Sequence, residues 1–176
     1  MKSVFYFLLS LFLFLSIAKQ ILAFEPAIIQ KDELSRLVVD VNSAVKNGNF
    51  ASISAYMPDR LYKEMARRLK TTEDNLRHSF LQQVRVQFES LPDGAYLLDE
   101  TNIDYLQTDK GTFYAFIPTT LEIKDRIIQY KTLAIFDKTQ WYLIYGGQKT
   151  LQNPVFLEIY PDFNGVHLPK ETIIKK

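Results

Sequence analysis

The apolar positions of this chain follow two different periods. Over residues 31–46, Leu34, Leu37, Val38, Val41 and Val45 recur at helical spacing, so the segment reads as an amphipathic helix. Asn47-Gly48-Asn49 stops it, because glycine takes the left-handed cap conformation without a Cβ penalty. A short second helix is expected over residues 50–56, ended before Pro58. Asp59 is placed to cap a further turn or two through Leu61, Met65 and Leu69. The longest helix is expected to start near Thr72, where Thr72-Glu73-Asp74-Asn75 supplies a capping hydroxyl and early acids. Its buried stripe is Leu76, Phe80, Val84, Phe88 and Leu91, and Pro92-Asp93-Gly94 ends it.

From Asn102 the period changes to two, and turn signals recur at even intervals. Asp109-Lys110-Gly111 suits a three-residue hairpin loop, and Lys124-Asp125 and Lys138-Thr139 suit tight turns. Four antiparallel strands are expected, over residues 103–108, 112–122, 126–136 and 140–145. The turns set the register: Tyr105 opposite Ala115, Thr119 opposite Tyr130, Phe136 opposite Trp141. One face then carries Ile103, Tyr105, Phe113, Ala115, Ile117, Thr119, Leu121, Ile128, Tyr130, Thr132, Ala134, Phe136, Trp141, Leu143 and Tyr145. It has no charge and should face the helices, since a one-residue slip would bury Lys131 and Glu122. Trp141 is expected to rest against the long helix. The opposite face carries Tyr114, Phe116, Leu133, Ile135, Tyr142 and Ile144, too apolar to be left in water. Leu151, Val155, Phe156, Leu157, Ile159, Tyr160 and Phe163 also need cover. The simplest account lays residues 153–163 across that face; the rival makes the face a homodimer or partner surface.

The first residues add a compartment. Met1-Lys2, an apolar run over residues 4–17, and small residues at Ala18 and Ala23 have the order of a secretory signal peptide over residues 1–23. The expected organisation is therefore a leader, an α+β domain over residues 24–149, and a packed tail over residues 150–176. The expected localisation is periplasmic or secreted, with membrane contact only during export. The absence of cysteine rules out disulfides, thiolate metal sites and a Cys nucleophile. Of the 21 basic residues, Lys2 and Lys19 lie in the leader, leaving 19 against 20 acidic ones. With no basic stripe, nucleic acid is not an expected partner. The cluster Lys63, Arg67, Arg68, Lys70 is flanked by Glu64, Glu73 and Asp74 and reads as a solvated helix face.

Taken together, the helix, the short helix around residues 50–56, the long helix and the meander resemble the NTF2-like (cystatin-related α+β cone) superfamily. The local likeness lies in Val45-Lys46-Asn47-Gly48-Asn49-Phe50, the Tyr56-Met57-Pro58 that follows, and the strand Lys138-Thr139-Gln140-Trp141-Tyr142-Leu143-Ile144. It spans residues 31–147. The resemblance implies N-terminal helices packed on a curved antiparallel sheet, with a pocket between them. It implies no single activity.

Enzymes of that superfamily, as the resemblance implies, work with an Asp or His inside the cone, often polarised by Tyr. The inward face carries hydroxyls but no Asp, Glu or His, and a general base must reach the proton it takes. Helices and loops offer Asp40, Glu64, His78, Asp99 and Glu100. His78 lies on the polar face of its helix, beside Asp74, Gln82 and Arg85. Two distant histidines make no metal site, and no GxGxxG, P-loop or GxSxG pattern calls for a cofactor or serine nucleophile. Tyr105, Thr119, Tyr130, Thr132, Trp141 and Tyr145 either fill the core or line a pocket for an apolar ligand with a polar handle. The expected function is non-catalytic binding of a protein partner. The alternatives are a carrier of a small apolar ligand or lipid, and a lyase or isomerase with its base on a helix.

Overall fold

The computed structural model describes residues 26–176, so the leader expected over residues 1–23 lies outside the described residues. Four helices come first: α1 (Ile28–Lys46), α2 (Phe50–Ala55), α3 (Asp59–Leu69) and α4 (Glu73–Glu89). Helix α1 begins one turn earlier than its apolar stripe suggests. The Gln30 side chain reaches back to accept the Ala27 N–H at 2.9 Å, satisfying one of the first-turn donors that would otherwise be orphaned. This makes α1, at 19 residues, longer than α4 at 17, contrary to the expected ranking. At α4 the expected cap holds: the Thr72 hydroxyl accepts the Asn75 N–H at 3.2 Å. Only Val84 of its stripe is fully buried, whereas Phe80, Phe88 and Leu91 pack partly against the core.

The strands are β1 (Tyr96–Leu98), β2 (Asp104–Gln107), β3 (Phe113–Ile123), β4 (Arg126–Asp137) and β5 (Gln140–Ile144). After two short helices, α5 (Gly147–Leu151) and α6 (Pro154–Ile159), and a 3₁₀ turn (Pro161–Phe163), β6 (Thr172–Lys175) returns to the sheet. The sheet is antiparallel and curls strongly into a half-barrel, giving the α+β, helices-on-curved-meander class expected. All three trial registers hold: Tyr105 faces Ala115, Thr119 faces Tyr130, and Phe136 faces Trp141. Strands β3 and β4 are central. Their flanks are each shared by two short strands, β1 and β2 beside β3, β5 and β6 beside β4.

The break between β1 and β2 has a local cause. The Asp99 N–H donates to the Pro118 carbonyl at 2.8 Å, but proline has no N–H to return the bond. The ladder ends there, and the chain leaves the sheet until Asp104. On the other flank, pairing with β6 stops at Gln129 and pairing with β5 resumes at Leu133. Pro118 and Lys131 are partners across β3 and β4, so the two gaps face each other across the sheet.

Two cores share this sheet. On the concave side, Leu34, Leu37, Val38 and Val41 of α1 pack with Phe50, Ile53, Val84, Ala115, Ile117, Ala134, Trp141 and Leu143. Trp141 sits against α1 and not, as expected, against α4: its indole N–H donates to the Gln30 carbonyl at 2.7 Å. On the convex side, Phe116, Leu133, Ile135 and Ile144 are buried beneath Leu151, Phe156, Tyr160 and Phe163. The 150–176 segment thus covers the outer face, as expected of residues 153–163, doing so with short helices, and then adds a strand. Gly146 starts the turn off the sheet at φ 93°, and a Cβ there would stand 2.3 Å from the Thr150 hydroxyl, so a substitution would be strained and would displace that hydroxyl.

Candidate functional site

The inward-facing candidates fall into two groups. Tyr105 and Trp141 occupy one end, both tied to the first turn of α1. The Tyr105 hydroxyl donates to the Lys31 carbonyl at 3.4 Å, and the Tyr105, Trp141 and Phe136 rings stand edge to face at 6.2 and 5.4 Å. These rings fill the space between helix and sheet. Thr119, Tyr130 and Thr132 lie four residues further along β3 and its partner, about 13 Å away at strand rise. The Thr119 and Thr132 hydroxyls share a buried hydrogen bond of 2.7 Å. Tyr96, which the sequence reading passed over, joins them: it is buried, and its phenol interacts with Tyr130, Tyr145 and Thr132. Tyr145 is partly buried, its ring 5.5 Å from Phe80, and its buried hydroxyl has no hydrogen-bond partner among the described residues.

Burial governs the protonation of these phenols. It raises the Tyr96 and Tyr145 pKa well above the ordinary value, and pushes those of Tyr62 and Tyr130 up to about 12. All stay neutral hydroxyls near neutral pH, which suits hydrogen bonding and not proton abstraction.

The helix and loop acids go elsewhere. Asp40 accepts the Tyr56 hydroxyl at 3.0 Å on an exposed rim. Glu64 is gripped by Arg67 and Arg68, whose hydrogen bonds lower its pKa to about 2. Arg68 also reaches Glu158 of α6, so part of the basic cluster clamps the tail. Hydrogen bonds from Asn102 and then Thr101 hold Asp99 at about 2, fixing the β1–β2 loop. His78 is exposed. Among the described residues no group of three acidic or histidine side chains is placed to hold a metal ion, and no helix is long and apolar enough to cross a membrane.

The open space lies elsewhere, over the Pro118–Lys131 pair where both flanks of the sheet are broken. A cleft of about 690 Å³ is bounded by Asp99, Glu100 and Thr101 on one side and by Pro169, Lys170 and Thr172 on the other. It is lined from the convex side by Pro118, Thr120, Gln129 and Lys131, and from the inner side by Asn42, Leu98, Thr119 and Tyr130. Lys131 is anchored by Asp104 at 2.9 Å. Of the six inward candidates, this cleft takes Thr119 and Tyr130. The signal that marks it in the sequence is Pro118 in the middle of a strand pattern, a residue central strands do not tolerate without a break.

A second, smaller polar recess gathers Arg60, Asp137, Tyr160 and Asp162. Arg60 bonds Asp137 at 3.1 Å and the Ile159 carbonyl at 2.9 Å, and the Tyr160 hydroxyl donates to Asp137 at 2.9 Å. These groups satisfy one another and fasten the tail to the β4–β5 hairpin. No family model, curated protein or solved structure matches this chain.

Proposed function

We propose that this protein is an exported, non-catalytic binding domain of NTF2-like type whose ligand is a protein partner. The observation that carries the reading is the ring packing that closes the concave interior beneath the first turn of α1. Tyr105, Phe136 and Trp141 pack ring to ring against α1, and the remaining inward polar groups are hydroxyls held neutral by burial. Binding then falls to the cleft at Pro118 and Lys131, whose cationic and anionic rims and polar lining suit a polypeptide segment. A photoreactive residue at Gln129, on the cleft floor, should give a discrete protein adduct in the cell envelope, whereas the same residue at exposed Val86 on α4 should not. Equal labelling from both positions, or none from Gln129, overturns the proposal.

One observation favours a second reading, the apolar-ligand carrier. The unpartnered Tyr145 hydroxyl is a polar handle inside an apolar shell. Trp141 is the single tryptophan of the chain, so energy transfer from it to a fluorescent fatty acid distinguishes the two. The binding-domain reading expects no saturable transfer; saturation at one equivalent would favour the carrier.

A further inference from the structure

We infer that β6 is a self-pairing edge through which two copies of this chain join into one continuous sheet. Two other edges are closed by groups from the helices. The Asn42 side chain donates to the Leu98 carbonyl at 2.8 Å and accepts the Leu98 N–H at 2.9 Å, replacing a neighbouring strand beside β1. Beside β5, the Leu143 N–H donates to the Tyr56 carbonyl at 2.7 Å. Such covering is how sheets prevent unwanted pairing. By contrast, β6 is exposed along its whole length, with Ile173 and Ile174 at 51% and 43%.

The register on β4 decides which groups of β6 face outward. The Lys176 N–H donates to the Asp125 carbonyl at 2.9 Å. Hydrogen-bonded positions alternate along an antiparallel pair, so Thr172, Ile174 and Lys176 turn their backbone groups toward β4. The N–H and C=O groups of Glu171, Ile173 and Lys175 therefore point away from the sheet. A two-fold axis perpendicular to the sheet can pair these residues with themselves. Ile173 then faces the partner's Ile173, and Glu171 faces the partner's Lys175, twice over by symmetry. In this register the three outward residues of each strand all form hydrogen-bonded pairs. Opposite charges meet on the same face as the isoleucine pair, an arrangement that stabilises cross-strand contacts. Shifting the axis by one residue leaves Glu171 without an opposite number. The symmetric pairing uses β6 of both copies, so this contact closes at a dimer. An interface of four or five residues a side is small, which places the dimer in the transient class.

Sedimentation equilibrium on the full chain tests this directly, with a dimer of Kd roughly 10–100 μM expected. Glu171→Lys or Lys175→Glu alone sets like charges opposite each other at two places and should weaken dimerisation about tenfold, and the double exchange should restore it. The chain has no cysteine, so a single introduced thiol can cross-link only between copies. Ile173→Cys should oxidise rapidly to a covalent dimer, since facing residues of a hydrogen-bonded pair lie about 5.5 Å apart, within disulfide reach. Ile174→Cys is two residues out of register with its own copy and should cross-link slowly. A wild-type chain still monomeric at roughly 1 mM, equal cross-linking from both positions, or a double exchange that fails to rescue would each overturn the inference.

Discussion

Removing one buried oxygen, the Tyr145 hydroxyl, should stabilise this protein. The Tyr145 ring packs against Phe80, while its hydroxyl is buried without a hydrogen-bond partner among the described residues. A hydroxyl taken from water and left unpaired costs about 1–3 kcal/mol. Tyr145→Phe keeps the ring and discards that cost, so a gain of about 1–2 kcal/mol is expected, a rise in midpoint temperature of roughly 2–8 °C. Urea unfolding is the assay, with the midpoint moving up at unchanged slope. The pH dependence gives an independent arm. Burial raises the Tyr145 pKa above its ordinary 10.0, so in alkali the unfolded chain ionises first. Stability is fully present below pH ~10 and falls as pH rises towards the folded pKa, by about 1.4 kcal/mol per pH unit for each such tyrosine. Tyr62 and Tyr130, raised to about 12, contribute in the same direction. The variant should therefore lose stability less steeply above pH ~10. A variant less stable by about 1 kcal/mol or more would refute the reasoning, since it would mean that the hydroxyl has a partner worth more than its burial.

Trp141→Ala, which removes a buried ring and its bond to Gln30, should cost about 3–5 kcal/mol by chemical denaturation. Asn42→Ala leaves the Leu98 N–H and C=O without the amide that pairs them and should cost about 1–3 kcal/mol, with faster amide exchange at Leu98. His78→Ala, at an exposed position, should leave the unfolding midpoint within about 0.5 kcal/mol of wild type and the circular dichroism unchanged. Deleting residues 153–176 uncovers Phe116, Leu133, Ile135 and Ile144 and should produce aggregation visible by light scattering; a stable, soluble monomer would contradict the convex core described above.

The strand registers were legible because tight turns leave little freedom. Lys124 and Lys138 take positive φ at the two short turns, and once those turns are placed every cross-strand partner follows. The four N-terminal helices were legible from their periodicity and stop signals. Strand β1 was not, because three residues cannot display an alternating pattern. Strand β6 was hidden for a related reason: Thr172-Ile173-Ile174-Lys175 places both isoleucines side by side, on opposite faces. The position of Trp141 was misjudged because the turns fix its partner on β4 but say nothing about which helix lies above. Of the site, Thr119 and Tyr130 were read as inward residues, which they are. The cleft they reach depends on two interruptions of the ladder, and only the one at Pro118 leaves a mark in the sequence.

The distribution of side-chain size across the sheet explains why the open surface is where it is. On the concave side Ala115 faces Ala134, both fully buried in the core beneath α1. The same strands send Phe116, Leu133 and Ile135 to the convex side, where α5, α6 and the 3₁₀ turn cover them. Each large apolar side chain so covered is worth roughly 1.5–3 kcal/mol. Both covers are therefore required. Beyond the reach of the tail helices the convex residues change to Pro118, Thr120, Gln129 and Lys131, which need no apolar cover. The cleft thus begins where the second core ends, and Pro118 keeps a flanking strand from closing it. A sheet packed on both faces has little free surface except at such breaks and at its edges; here the break gives the cleft, and β6 gives an exposed edge.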